Sequence, residues 1–241
     1  GALGFVVVFQ FIRQHADSVG GFGVLGVFGA QTLKRLARGV IAFDHHQQAR
    51  VAQLQLDAGL RAARQLEQAL EALYAHAVVY GHLPCPADPA LAAADAQAGA
   101  AACPREYGVL PWQTLGLAAT DPWGSYISYF ADKKFTGPPA PGAGAGFGLH
   151  TEASGEVSVA TGGIKLASQI PALLVCHGRN VHQAWRPDAG RNAGGSADEV
   201  ENGKASRNFV DRLPDAGYDD LVRWVNPAVL KLRLVNAGRL P

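Results

Sequence analysis

A long helical stripe of apolar residues constrains this sequence more than any other feature. Between residues 44 and 80, apolar side chains recur at intervals of three or four, which places them on one face of an α-helix. Asp44 is a candidate N-cap and Gly81 a candidate C′ residue, so the spacing predicts a helix over 44–80. The members of the stripe are Leu56, Leu60, Ala63, Leu66, Leu70, Leu73, Ala77 and Tyr80.

Such a helix is too long to be buried within one small domain. It spans roughly 55 Å at the usual helical rise, so part of it should project or pack against other subunits. We therefore predict three regions: an apolar, glycine-rich segment over 1–43, an amphipathic stalk over 44–81 and a globular head over 82–241. The leucines of the stripe and Tyr80 are expected to dock the head and to contact neighbouring subunits.

After the stalk, the pattern changes to short strand candidates separated by turns. Residues 227–236 have the apolar spacing of a short final helix, whereas 137–148 and 185–208 are expected to be loops, the second one polar and mobile. One long helix followed by several strands indicates an α+β protein rather than an alternating parallel-sheet fold. The strand candidates are 126–131, 156–160, 170–176 and 220–225.

Net charge, apolar runs and cysteines indicate which kinds of partner and which cellular compartment to expect. The net charge of +1 gives no electrostatic reason to expect a nucleic-acid partner. No run of eighteen apolar residues marks a standard transmembrane helix. The chain has three cysteines, two close together and one distant, which indicates one disulfide and one free thiol and favours an oxidising compartment.

The two close cysteines enclose a loop of alanine, glycine and aspartate that has no apolar core of its own. A disulfide between Cys85 and Cys103 would order this loop, whereas a metal site would need two further ligands besides His82. We predict the disulfide. Pro84 and Pro86 flank the first cysteine and make the chain leave the helix in an extended conformation.

Two further patterns suggest chemistry but lack the context that it needs. The glycines from Gly21 to Gly26 match a dinucleotide-binding fingerprint, with Asp44 as the ribose-binding acid, but no strand ends directly before them. Cys176 and His177 are adjacent on a strand and point to opposite faces, so a buried structural thiol is favoured over a Cys–His nucleophile. We predict neither a cofactor nor a catalytic residue.

An acidic loop and three tryptophans leave a structural and a binding interpretation open. Asp198, Glu199 and Glu201 could bind calcium through carboxylate oxygens, although a solvated loop is favoured. The tryptophans beside proline, glycine or tight turns are expected to anchor those turns onto the core, a sugar-binding platform being the alternative. These turn residues are Trp112, Trp123, Gly124 and Trp224.

The order of several motifs along the chain resembles one protein family. LPCP follows the helix, EYGVLPWQTLG and DPWG come next, LLVCHGRN follows, and the chain ends with DDLVRWV and AGRLP. Over residues 50–241 this order resembles bacterial type IV pilin-like proteins, the minor-pilin or pseudopilin kind with a prepilin-type N-terminus. Neither Gly4-Phe5 nor Gly21-Phe22 is followed by the usual glutamate, so the N-terminal anchor is atypical.

The resemblance implies a fold and a function. The implied fold is α+β and pilin-like, with a long N-terminal helix, an antiparallel β-sheet head and a short C-terminal helix. The implied function is that of a non-enzymatic minor pilin or pseudopilin of a type IV pilus or type II secretion filament. Its partners would be other pilin or pseudopilin subunits and, before assembly, the inner membrane. Its location would be the bacterial cell envelope, either in the periplasm or in an extracellular filament. The alternatives are a glycan-binding adhesin head and an NAD(P)-dependent oxidoreductase using Gly21–Gly26.

Overall fold

A single long helix leads into the globular part of the chain. The computed structural model describes residues 30–154 and 158–241, with side chains from Gln47 onward. Helix α1 (Ala30–Tyr80) is continuous over 51 residues, so the predicted start at Asp44 is wrong. The predicted end at Gly81 is confirmed, because this residue has a φ of +77° and donates its N–H to the Ala77 carbonyl at 2.7 Å, the left-handed geometry that glycine adopts readily.

In residues 30–154 and 158–241, seven short strands form two separate sheets. The larger sheet has the order β1-β2-β5-β7, and all of its neighbours are antiparallel. The smaller sheet has the order β4-β3-β6, in which β3 and β4 are antiparallel and β3 and β6 are parallel. The strands are β1 (Tyr107–Val109), β2 (Ser128–Ala131), β3 (Ser158–Thr161), β4 (Ile164–Ser168), β5 (Ala172–Cys176), β6 (Asn208–Val210) and β7 (Leu221–Trp224).

Four shorter helices follow α1. They are α2 (Trp112–Leu115), α3 (Lys133–Thr136), α4 (Ala197–Gly203) and α5 (Pro227–Asn236). The last one has the predicted bounds. The Asn226 side chain accepts hydrogen bonds from the N–H groups of Ala228 and Val229, and Pro227 occupies the first helical position, where a missing N–H has no consequence.

The predicted pilin-like architecture, a long N-terminal helix followed by one antiparallel-sheet head and a short C-terminal helix, is wrong for the described residues. There are two sheets, and the smaller one includes a parallel pair. The chain divides into two compact units, residues 1–56 and 57–241, and the second unit contains the end of α1 together with both sheets. This part of the helix is therefore a core element and not a stalk outside a finished head.

The core of the second unit is built around the end of α1. Leu66 and Leu73 are fully buried, and they belong to one apolar cluster with Tyr129, Leu173 and Val222 of the larger sheet. Leu70 of the predicted stripe is also buried, but Leu56, Leu60 and Tyr80 are each more than half exposed. The buried face also includes Ala77 of the predicted stripe, and Ala62 and Ala69, which the stripe did not include.

The smaller sheet is joined to the larger one by an arginine. Arg207, just before β6, contacts the carboxylates of Glu106 and Asp132 at 3.0 and 3.1 Å. Asp132 is fully buried and also caps α3 by accepting the N–H of Lys134.

Within the described residues, no helix has the length and apolar character that crossing a bilayer requires.

Candidate functional site

Polar side chains meet at one end of the larger sheet. Because neighbouring strands run in opposite directions, the end of β5 lies beside the starts of β2 and β7. Ser128 begins β2, His177 follows β5, and Asp219 and Asp220 precede β7. Glu199 and Asn202 of α4 complete this group, which we call the polar cluster.

Three members of the polar cluster have the order of a hydrolase triad. The Ser128 hydroxyl and the His177 Nε2 are 2.9 Å apart, and the His177 Nδ1 lies 3.5 Å from the Asp220 Oδ1. The same residue types perform acyl transfer where the serine is open to substrate. Here Ser128 is 1% exposed and His177 is fully buried, so a substrate carbonyl has no route to the hydroxyl. In this conformation the three residues link adjacent strands.

Asn202 is the centre of the hydrogen bonds in the polar cluster. Its Nδ2 donates to the Asp220 Oδ2 and to the Val210 carbonyl, both at 2.9 Å. Its Oδ1 accepts the N–H of Val210 at 2.7 Å, and the Tyr218 hydroxyl lies 3.3 Å from the Nδ2. One buried amide therefore connects α4, the end of β6 and the start of β7.

The loop prediction for 185–208 is wrong over residues 197–203, which form α4. Ser196 caps this helix by accepting the N–H of Glu199, while the Glu199 carboxylate accepts the N–H of Ser196 at 2.7 Å. This reciprocal pair is a capping box. The spacing of Ser196 and Glu199 was the sequence signal that could have revealed the helix, although nothing in the sequence indicated that Glu199 and Asn202 would be buried.

Three carboxylates converge within the polar cluster. Oxygen atoms of Glu199, Asp219 and Asp220 all lie within 4.8 Å of one another. Burial raises the pKa of Asp219, and the neighbouring charges of Asp220 and Glu199 raise it further, against the lowering effect of the backbone N–H groups of Asn180 and Arg179. The group therefore concentrates negative charge where hydration is limited.

The three calcium candidates from the sequence do not meet. Asp198 pairs with Arg212 at 2.7 Å, and Glu201 pairs with Lys204 at 2.8 Å. Only Glu199 belongs to the carboxylate group. Sequence reasoning missed Asp219 and Asp220 because they lie about twenty residues further along the chain and approach Glu199 only through the tertiary fold.

The disulfide between Cys85 and Cys103 is present, with the two Cα atoms 5.3 Å apart. It closes the loop that follows α1, and the Arg105–Asp88 ion pair lies inside the same region. Pro84 and Pro86 are buried on either side of Cys85, and the Pro84 carbonyl accepts the Tyr129 hydroxyl at 3.1 Å. The segment that follows α1 is therefore fixed by the disulfide and is bonded to the larger sheet through Tyr129.

The third cysteine is in a position unsuited to nucleophilic chemistry. Cys176 is fully buried and its thiol donates to the Asp121 Oδ2 at 3.2 Å. Burial raises the pKa of the thiol, and the Asp121 carboxylate raises it further. The sulfur therefore stays protonated, and the adjacent His177 ring bonds to Ser128 instead.

The tryptophans expected to anchor turns, Trp112, Trp123 and Trp224, are each half-buried. The Trp112 ring stacks on Tyr126 with centroids 4.5 Å apart. Trp123 lies in a turn, and its backbone N–H donates to the Asp121 Oδ1 at 2.9 Å. Gly124 completes this turn with a φ of +83°. Trp224 lies on β7 opposite Leu173 and packs against the main apolar cluster.

The candidate dinucleotide fingerprint Gly21–Gly26 and the candidate prepilin cleavage positions lie outside the described residues. Comparisons with protein-family models, with curated proteins and with solved structures gave no match for this chain.

Proposed function

We propose that this chain is a structural subunit of a bacterial envelope filament, a minor pilin or pseudopilin of a type IV pilus or a type II secretion system. In this proposal α1 packs against other subunits, while the second compact unit presents its surface to partners. The observation that carries the proposal is the apolar surface of α1 before its buried part. Val51, Leu54, Leu56 and Leu60 are 51%, 65%, 59% and 51% exposed.

These four side chains occupy two sides of the helix. At about 100° per residue, Val51 and Leu54 lie close to each other, and Leu56 and Leu60 lie together on a different side. An isolated helix in water favours polar residues at such positions. Apolar residues on two sides are typical of a helix that contacts more than one neighbour, since burial of each such side chain contributes about 1.5–3 kcal/mol.

The disulfide supports the proposed location. Structural disulfides persist outside the reducing cytosol, and the Cys85–Cys103 bond closes a loop at the surface of the second unit. The sequence motifs that resemble the pilin-like family begin at this same position, with LPCP. These features support a subunit that is exported before it assembles.

Site-specific photo-crosslinking of the full chain in a producing bacterium tests the proposal. A photoreactive amino acid is placed at Leu54 or Leu56, and the matched control carries it at Leu213, which is 87% exposed but lies far from α1 in sequence. We expect adducts of higher mass at the two helix positions, with peptides of pilin-like subunits identified by mass spectrometry.

Two results would contradict the proposal. One is the absence of adducts at both helix positions in a chain whose disulfide is intact. The other is an equal yield of the same adducts at Leu213, which would indicate nonspecific surface contact rather than packing through the helix.

A further inference from the structure

The three converging carboxylates come from two separate segments of the second unit. Glu199 lies on α4, whereas Asp219 and Asp220 lie immediately before β7. Glu199 is 1% exposed and Asp220 is 2% exposed. Ionised carboxylates in such positions repel one another and lose hydration, so buried groups of this kind are normally paired with cations.

Within the described part of the chain, no lysine or arginine forms an ion pair with these carboxylates. Among the described residues, the ion-pair partners of the three carboxylates are imidazole rings alone: His177 lies 3.5 Å from Asp220, and His182 lies 3.4 Å from Glu199. The Arg212 guanidinium pairs instead with Asp198 and Asp215. The group therefore has more negative charge than its protein partners neutralise.

Several buried atoms of this group also have no hydrogen-bond partner. The Oδ1 atoms of Asp219 and Asp220 are sealed from solvent and accept no hydrogen bond. The Nδ1 of the fully buried His177 is also without a hydrogen-bond partner and lies 3.5 Å from the Asp220 Oδ1. Buried polar atoms that remain unsatisfied by the protein are typical of positions that hold an ion or an ordered water.

We propose that Glu199, Asp219 and Asp220 bind one divalent cation, and that this cation is calcium. Calcium is bound by oxygen atoms at about 2.3–2.6 Å, so oxygens on the same ion can be separated by up to about 5 Å, and the spacing within 4.8 Å satisfies this condition. Calcium accepts irregular arrangements of six to eight oxygens. Asp219 is only partly buried, so the group lies near the surface, and water supplies the remaining coordination positions.

The cation adds a second link between α4 and the start of β7, besides the hydrogen bond between Asn202 and Asp220. Glu199 is part of the capping box of α4, and Asp220 directly precedes β7 and bonds to Asn202 of the same helix. Binding therefore stabilises the contact between α4 and the larger sheet. The site is independent of the proposed packing of α1, which involves residues of the other end of the chain.

Terbium luminescence and calorimetry on the full oxidised chain test this site. After treatment with EDTA, the protein is titrated with terbium, whose emission is sensitised by a nearby aromatic ring such as Tyr218, and then with calcium as the competitor. Calorimetry with calcium alone gives the affinity, for which we expect a Kd on the order of 10⁻⁴–10⁻³ M, as in extracellular calcium modules.

Matched variants separate this site from general binding to surface acids. Asp219→Asn keeps an oxygen that accepts the N–H groups of Arg179 and Asn180 but removes the charge, and it should weaken calcium binding at least tenfold. Glu201→Gln makes the same charge change on α4 outside the carboxylate group and should leave the affinity unchanged. Far-UV circular dichroism checks that both variants are folded.

Three outcomes would overturn the proposal. The first is the absence of calorimetric heat with calcium at about 10 mM, ten times the weakest expected Kd, together with the absence of sensitised emission when terbium alone is added. The second is an equal loss of affinity in Asp219→Asn and Glu201→Gln. The third is tighter binding of magnesium, manganese or zinc than of calcium in the same titration, which would exclude calcium as the ligand.

Discussion

Removing the disulfide should lower the free energy of unfolding by about 3 kcal/mol. The bond joins Cys85 and Cys103, which are separated by 18 positions in the sequence. For a loop of this size the chain-entropy relation gives about 11 cal/mol/K, or about 3 kcal/mol at 25 °C. Most of this effect lies in the unfolded ensemble, which gains conformations when the bond is absent.

The folded loop should keep its conformation after the bond is removed. The N–H of Ala102 donates to the Pro86 carbonyl at 3.2 Å, and the N–H of Gln113 donates to the Gly99 carbonyl at 3.0 Å. The Arg105–Asp88 pair adds little, because both side chains are partly exposed and screened by solvent. We therefore expect an unchanged near-UV circular dichroism spectrum and a Tm lower by about 6–12 °C.

The assay compares urea unfolding of the native protein with that of a Cys85→Ala, Cys103→Ala double variant, each with and without reductant. Reductant should shift the native curve onto that of the variant and should leave the variant unchanged. A loss below about 1 kcal/mol would refute the reasoning, since it would show that the unfolded loop is already restricted without the bond.

Three further substitutions probe the interior. Gly99→Ala should destabilise the fold by about 2 kcal/mol, because Gly99 has a φ of +74° and an added Cβ would overlap the Trp112 ring; an unchanged urea midpoint would contradict this. Asn202→Ala should cost about 2–4 kcal/mol, because it leaves the buried Asp220 carboxylate without its amide donor; a cost below that of an ordinary surface substitution would refute the central role of the amide. Burial raises the pKa of Asp121, so the folded state retains this proton more strongly than the unfolded chain, and stability should fall as the pH rises above the ordinary aspartate pKa. Asp121→Asn should lack this decline, and parallel pH curves of the urea midpoint for the variant and the native protein would contradict the assignment.

Local features of the sequence predicted local parts of the fold. The apolar spacing of 227–236 identified α5. Gly81 marked the end of α1, because only a local hydrogen bond and one backbone angle are involved. The strand candidates 126–131, 170–176 and 220–225 each contain a strand of the larger sheet. In such segments, β-branched and aromatic composition is itself the physical cause of the structure.

Features that depend on distant pairing could not be predicted. The parallel contact of β3 with β6 joins residues about fifty positions apart, and no local pattern specifies which strand a partner will be. The buried face of α1 was misplaced in part, for a different reason. Ala62 and Ala69 are small and gave a weak apolar signal, so they were not included in the stripe, although they are buried while the larger Leu56 and Leu60 remain exposed.

The polar cluster was not predicted because its members are distributed along the chain. Ser128, His177, Glu199 and Asp220 lie on four separate segments. Their burial follows from the antiparallel arrangement of β2, β5 and β7, which brings the ends of these strands together. The three-residue spacing of the capping box was local enough to predict, but the partners of its carboxylate were not.

The polar cluster also affects how this fold can diverge. A one-residue slip of β7 against β5 would turn Asp220 away from His177 and break its hydrogen bond with Asn202. Exchanges among the apolar core residues cost little when volume is kept, whereas loss of one polar partner leaves another unsatisfied. Distant relatives should therefore keep the spacing of Ser128, His177, Asn202 and Asp220 after their apolar residues have changed, and this spacing is the pattern by which to search for them.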